Sequence, residues 1–298
     1  MWQQYLSAIQ SGNVKALARC ISAVENEWTG YEQLLEQLPS VKTPVIGITG
    51  PPGAGKSTLV DGLIGELVQL HKKVAVLCVD PSSPFNLGAL LGDRIRMSEW
   101  YNNPDVFIRS LATRGSLGGL HPKIIEITDL IKAAPFDYII VETVGVGQSE
   151  IEIAGLADVT VVVVVPEAGD EIQTMKAGLM EIADIFVVNK ADRPEADLFV
   201  KNLKQMLAPA FNQQQEIKVI KTTAAQKKGI TDLMTAIMEF MNQYASNPQK
   251  NWLLTEKAYH LIQQHKMKHI SKLQLKKELE KNLQEGEFNL YRFIQQYI

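Results

Sequence analysis

Cysteine is nearly absent from this chain: Cys20 and Cys78 are the two among 298 residues, and they stand 58 positions apart. That excludes a disulfide framework and a CxxC zinc knuckle, and leaves both thiols as small apolar fillers of a core. Long hydrophobic runs are missing too. The longest, Val159 to Pro166 with valine at every position from 161 to 165, falls far short of the ~20 apolar residues a membrane-spanning helix needs. The opening residues, MWQQYLSAIQSG, lack a basic stretch followed by an apolar one. A secretory signal is therefore not expected, and the expected compartment is the cytoplasm.

What is present suits a globular protein. With 46% hydrophobic and 21% charged residues and a net charge of -3, the chain is too apolar and too balanced to be disordered. Its length suggests about two domains. The charge is uneven: residues 245–298 carry nine Lys and Arg against five Asp and Glu, while the preceding 244 carry 21 against 28. A basic tail on an acidic body could meet nucleic acid, but its charges fall at helical spacing with few aromatics among them, which is the pattern of a solvated face. Neither a nucleic acid nor a membrane is expected as a partner.

The pattern of apolar residues divides the chain in three. Over 1–40, Tyr5, Leu6, Ile9, Val14, Leu17, Ile21, Val24, Leu34, Leu35 and Leu38 recur at three- and four-residue steps, which predicts two helices broken at Ser11-Gly12. Over 41–244, β-branched runs at 45–49, 74–79, 106–110, 138–142, 159–165, 185–189 and 217–222 alternate with helical stretches near 57–70, 122–134, 171–183, 195–208 and 230–244. This is the βαβ signature of an α/β domain with a mostly parallel sheet, covered on both faces. Ligands in such folds bind beyond the carboxyl ends of the strands, so the residues after each run carry the interest. Over 245–298 the helical period returns, with Leu275, Leu279 and Leu283 at steps of four and Gly286 placed to end the helix. The apolar end from Phe288 onward must pack on something, either the body or a second copy of the chain.

Directly after the first run stands Gly50-Pro51-Pro52-Gly53-Ala54-Gly55-Lys56-Ser57-Thr58, a complete GxxxxGK[ST] between a strand and a helix. The glycines let backbone amides approach phosphate, the helix offers its positive end, Lys56 can reach the β and γ oxygens, and Ser57 can ligate Mg²⁺. The base is read further on. The sixth run ends in Asn189-Lys190-Ala191-Asp192, whose aspartate can accept from guanine N1–H and N2–H₂, whereas adenine presents no matching donors. Thr223-Ala224-Ala225 follow the next run, where a backbone amide could contact guanine O6. Three acidic residues offer hard oxygens for Mg²⁺: Asp80, Asp93 and Glu142. Glu142 opens Glu142-Thr143-Val144-Gly145, where the Gly145 amide could meet the γ-phosphate. GTP or GDP with Mg²⁺ is the expected ligand set.

Three further strings carry a family resemblance: Val79-Asp80-Pro81-Ser82-Ser83-Pro84-Phe85, Gly92-Asp93-Arg94-Ile95-Arg96-Met97, and Glu142-Thr143-Val144-Gly145-Val146-Gly147-Gln148-Ser149-Glu150. With the P-loop they resemble the MeaB/ArgK-type P-loop GTPases, G-protein chaperones of adenosylcobalamin-dependent methylmalonyl-CoA mutase. The likeness runs over the whole chain, and in that family the C-terminal helices form a dimerisation arm. It implies a cytoplasmic homodimer with Mg²⁺ on Ser57, Asp93 and Glu142 and with Asp80 close to the metal and its waters. It also implies a first switch around 81–97 and a second over Val144 to Glu150. A third, Pro166 to Lys176, would sense the mutase, with Gln173 and Lys176 at its functional positions. Where relatives read Gly-Gly before the Asp93 loop, this chain has Leu87-Gly88.

Phosphoryl transfer to water asks a protein for positioning and charge stabilisation. Lys56, Mg²⁺ and the P-loop amides would supply the charge. No residue stands out to position the water, although Gln148 follows the second-switch glycines. Slow hydrolysis is therefore expected, accelerated when a mutase orders the switches and brings in Lys176. The alternatives are an ATP-dependent transport-associated kinase, which Asn189 and Asp192 oppose, and a metal-insertion GTPase. For the latter the chain offers only His260, His265 and His269, with no cysteine or carboxylate motif beside them.

Overall fold

The computed structural model describes residues 2–81, 97–114, 120–145, 149–168, 178–207, 217–243, 248–267, 270–284 and 288–297. They form two compact units, Met1–Lys250 and Asn251–Ile298.

The first unit opens with α1 (Trp2–Gln10), α2 (Val14–Glu25) and α3 (Tyr31–Glu36). The break between α1 and α2 falls at Ser11-Gly12, and Asn13 caps α2 by accepting from the Ala16 amide at 3.0 Å. The sequence period predicted two helices, and the structure adds α3. It starts at Gly30, whose φ of +83° reverses the chain in a way that apolar spacing does not encode.

The seven runs become seven parallel strands: β1 (Val45–Thr49), β2 (Val74–Asp80), β3 (Val106–Ala112), β4 (Tyr138–Glu142), β5 (Val159–Val164), β6 (Ile185–Val188) and β7 (Lys218–Lys221). Their order in the sheet is β3-β2-β4-β1-β5-β6-β7. Between them lie α4 (Lys56–Gln69), α5 (Ile124–Lys132), α6 (Ser149–Leu156), α7 (Gly178–Ile182), α8 (Ala196–Leu207) and α9 (Ile230–Gln243). Every residue of β1, β2, β5 and β6 is buried, as a two-faced parallel sheet demands. One core lies between the sheet and helices α4 and α9, with Leu59, Leu63, Leu67, Leu233 and Ile237 against Ile46, Val76, Val161 and Val187. On the other face α2 packs against α5. The edge strand β7 ends in Lys218 and Lys221, which are exposed and blunt it against strand addition. Both cysteines are buried thiols outside any disulfide, and burial pushes the Cys20 thiol up to about 11.

The order of the strands places the site. From β1 the chain passes to β2 and β3 on one side, returns as β4 beside β1, and then crosses to β5 on the other side. The direction of winding reverses at β1, and the crevice beyond its carboxyl end is where such sheets bind ligands.

One carboxylate in this unit has a consequence for stability. Asp184, just before β6, accepts the Thr160 amide at 2.7 Å, yet burial raises its pKa to about 6. Because the folded value lies above the unfolded one, the proton it retains stabilises the fold below about pH 4, and that contribution is lost as pH rises through about 6. Asp184→Asn keeps an acceptor for Thr160 and removes the titration. Denaturant unfolding of the variant and its parent should diverge by about 2 kcal/mol in the variant's favour between pH 4 and pH 7. A constant difference across that range would rule this out.

The second unit contains most of α10 (Pro248–Lys266), then α11 (Lys272–Gln284) and α12 (Leu290–Ile294). Leu275, Leu279 and Leu283 lie on α11 as their spacing predicts. The apolar end folds back within this unit. Phe293 is buried, its ring 5.8 Å from that of Phe288 and 5.6 Å from that of Tyr297, and the Tyr297 hydroxyl donates to the Glu278 carboxylate on α11. No helix among the described residues is long and apolar enough to cross a membrane.

Candidate functional site

The loop 50–55 joins β1 to α4 without any side-chain cap on the helix. Gly55 occupies the capping position at φ +88°, so the positive end of a 14-residue helix faces the loop with no side chain capping it. Glycine is also required there for space, because a Cβ would run into Nδ2 of Asn189. Lys56 and Ser57, the first two helical residues, are both buried at 6% exposure. Lys56 Nζ turns back over the loop and donates to Gly50 O at 2.9 Å and Pro51 O at 3.1 Å.

Glu142 ends β4 opposite Ile48 of β1, so strand pairing brings its carboxylate to the start of α4. Ser57 Oγ donates to Glu142 Oε1 at 2.7 Å, across 85 residues of sequence. The next residue continues the ladder, with Thr143 N donating to Ile48 O at 3.0 Å and the hydroxyls of Thr143 and Thr49 3.0 Å apart. Gly145 then lies over the loop with φ +86°, and a Cβ there would strike Gly50 O and Lys56 Nζ. On the other side of β4, Asp80 ends β2, two residues past the Cys78–Glu142 pair.

These groups surround one cleft of about 420 Å³, lined by Pro52, Gly53, Gly55, Lys56, Ser57, Thr58, Val79, Asp80, Pro81, Glu142, Thr143, Val144 and Lys190. Asp80, Glu142 and the hydroxyls of Ser57 and Thr143, all under 8% exposed, share it with the side chains of Lys56 and Lys190. That donor set, hard oxygens at the mouth of an anion-binding loop, fits Mg²⁺. Asp93, Gln173, Lys176, Gln148 and His269 lie outside the described residues. Among the described residues no group of three His, Cys, Asp or Glu side chains is placed to hold a metal.

The segment 189–192 meets the same loop from the β6 side. Asn189, 2% exposed, donates through Nδ2 to Ala54 O at 2.8 Å and accepts at Oδ1 from Thr222 Oγ1 and the Ala224 amide, both at 3.1 Å. Lys190, held at φ +57°, donates from Nζ to Gly53 O at 2.9 Å. Two consecutive side chains thus lash the 189–192 loop to the phosphate loop. Asp192 follows with its side chain exposed. Of the three amides expected near guanine O6, those of Thr223 and Ala224 are committed to Lys228 O and Asn189 Oδ1. Ala225, the third, is exposed.

Sequence reasoning passed over Thr49 and Thr222, whose hydroxyls brace Thr143 and Asn189 from neighbouring strands. It also passed over Arg193, whose guanidinium pairs with Glu167 at the start of the 166–176 segment. The signal for the two threonines is a position, Thr49 at a strand's end and Thr222 just past one, whereas Arg193 stands five residues beyond β6 with no such mark.

A profile of the family described as "Methylmalonyl Co-A mutase-associated GTPase MeaB" matches residues 17–279. A Pyrococcus abyssi protein bearing a GTPase name is 45% identical over 245 residues, covering 80% of this chain and 76% of that protein. The fused isobutyryl-CoA mutase of Geobacillus kaustophilus contains a region 36% identical over 278 residues, covering 87% of this chain and 25% of that much longer protein. A crystal structure described as LAO/AO transport system kinase superposes with a TM-score of 0.67 at 25% identity, covering 99% of this chain and 95% of that one.

Proposed function

The chain belongs to the MeaB family of methylmalonyl-CoA mutase-associated P-loop GTPases, and on that premise we propose that it is a GTP-hydrolysing chaperone of an acyl-CoA mutase. Its task would be to gate cobalamin loading of methylmalonyl-CoA mutase or a related enzyme, and to protect that enzyme. The observation that supports a mutase partner is the region similar to this chain inside a single polypeptide named as a fused isobutyryl-CoA mutase. Fusion places the two activities in permanent proximity, which a free chaperone must achieve by binding.

In this reading the amides of 50–55 and the start of α4 bind the β- and γ-phosphates, and Lys56 leaves the Gly50 and Pro51 carbonyls to meet their oxygens. Ser57, Glu142 and Asp93 would hold Mg²⁺, with Asp80 beside them. The metal, when bound, neutralises charge that builds on the phosphate oxygens. Gly145 offers its amide to the γ-phosphate, and Asp192 and the Ala225 amide read guanine. The segment 166–176, with Gln173 and Lys176 at its functional positions, would sense the mutase and bring Lys176 to the nucleotide, and the C-terminal helices would form the homodimer arm.

Single-turnover GTP hydrolysis with and without a cobalamin-dependent acyl-CoA mutase tests the coupling. Supplying a missing cation and a fixed water in trans raises such rates by as much as ~10³-fold or more. An increase of about tenfold or greater is expected, and equal rates would defeat the proposal.

The kinase named in the superposed structure offers a second reading. A buried Asn189 beside Asp192 suits guanine, so calorimetry should register GDP and no comparable binding of ADP.

A further inference from the structure

β3 is the outermost strand on its side of the sheet, held within it by β2. Its far end matters to the cleft. One step past the last strand pair, Asp80–Ala112, the Thr113 amide donates to Asp80 O at 3.0 Å. The backbone of Asp80, a residue lining the cleft, is therefore as well fixed as the end of β3 is.

That end is fastened to the N-terminal helices. Glu25, the last residue of α2, has a side chain only 13% exposed, and two guanidinium groups from one strand and its extension meet on it. Arg109 Nη2 reaches its Oε2 at 2.7 Å from within β3 and also donates to Ser22 Oγ at 3.1 Å. Arg114 Nη2 approaches Oε1 at 3.4 Å and donates to Asn26 Oδ1 at 2.8 Å, while its Nη1 donates to the backbone carbonyl of Glu25 at 2.7 Å. The carbonyl end of a helix attracts cations, so Arg114 is held by side chain and helix together. It is also strained: φ is +49° at a residue with a long side chain, a conformation that persists only where the surroundings impose it. Strain held by a half-buried charge network, one residue beyond the amide that fixes Asp80, is more than the attachment of a peripheral helix requires.

We infer that Glu25 is a positioning residue for the nucleotide site. Through Arg114 and Thr113 it sets the place of Asp80, and so the strength with which Mg²⁺ is held beside the phosphates. This rests on the proposed nearness of Asp80 to the metal. It makes the N-terminal helices part of the metal site's support, and it assigns a function to a carboxylate that no motif marks.

The test uses the full chain, a fluorescent GDP analogue and a Mg²⁺ titration, with a parallel measurement in EDTA. In Glu25→Gln the Mg²⁺ concentration that half-tightens GDP binding should rise about tenfold, the low end of what supporting partners of metal-site residues cost. Affinity in EDTA should be unchanged. Arg114→Gln should shift the midpoint in the same direction, and it serves if Glu25→Gln, with Arg109 left uncompensated, does not fold. A merely structural role would lower the melting temperature and weaken GDP equally with and without Mg²⁺, and that result overturns the inference. Asp80→Asn separates the two layers. If it leaves the midpoint in place, the reading of Asp80 fails and this inference with it. If it moves the midpoint while neither Glu25→Gln nor Arg114→Gln does, the inference alone fails.

Discussion

Lys56→Ala is expected to lower GTP hydrolysis by about 10²–10³-fold, the loss that follows removal of one preorganised charge or donor from a developing anion. Its position supports a loss this large. At 6% exposure the ammonium group sits in the cleft with its stem packed, and it is already oriented by Gly50 O and Pro51 O. Exchanging two neutral carbonyls for phosphate oxygens is favourable, because a charge-assisted hydrogen bond is roughly twice as strong as a neutral one. Alanine keeps the helix start, since the first amides of α4 do not depend on the side chain. GDP binding should therefore weaken less than turnover falls. Single-turnover hydrolysis beside equilibrium GDP binding measures both, and a variant that turned over at the parental rate would remove Lys56 from the mechanism.

The second large effect concerns the base. Asp192→Asn is expected to weaken GTP by about 10²-fold or more and to make xanthosine triphosphate the preferred nucleotide, because an amide can donate where xanthine presents a carbonyl. The exchange is clean because Asp192 is exposed, whereas its neighbour Asn189 spans three segments with hydrogen bonds to Ala54, Thr222 and Ala224. Asn189→Ala would leave buried partners unsatisfied at about 1–3 kcal/mol each and would blur binding with stability. Competition between the two triphosphates gives the answer. Undiminished preference for GTP in the variant would mean that Asp192 does not read the base.

Much of this was legible in the sequence for a definite reason. The valines of β5 and the run before Gly50 mark strands buried on two faces, and the P-loop's chemistry is contained in consecutive residues, so local pattern suffices. The third N-terminal helix was not legible, because a left-handed glycine at position 30 leaves no periodic trace. Which of the amides of Thr223, Ala224 and Ala225 is left for a base was not legible either, because Lys228 O and Asn189 Oδ1 claim the first two only in the folded chain. Arg109 and Arg114 look like ordinary strand and loop charges until α2 is laid beside β3.

The amino-acid sequence by itself determined the parallel α/β class, the phosphate loop and the guanine-type motif, each written within a span that one strand and one turn can hold. Only the tertiary structure decided that Ser57 meets Glu142 across 85 residues, that Asn189 meets Ala54 across 135, and that Arg114 meets Glu25 across 89. Those meetings depend on β4 lying beside β1, on β5 and β6 following on β1's other side, and on α2 reaching the end of β3. Strand order is set by which hydrogen-bonding edges and apolar faces are satisfied together over the whole sheet, and no local periodicity records that.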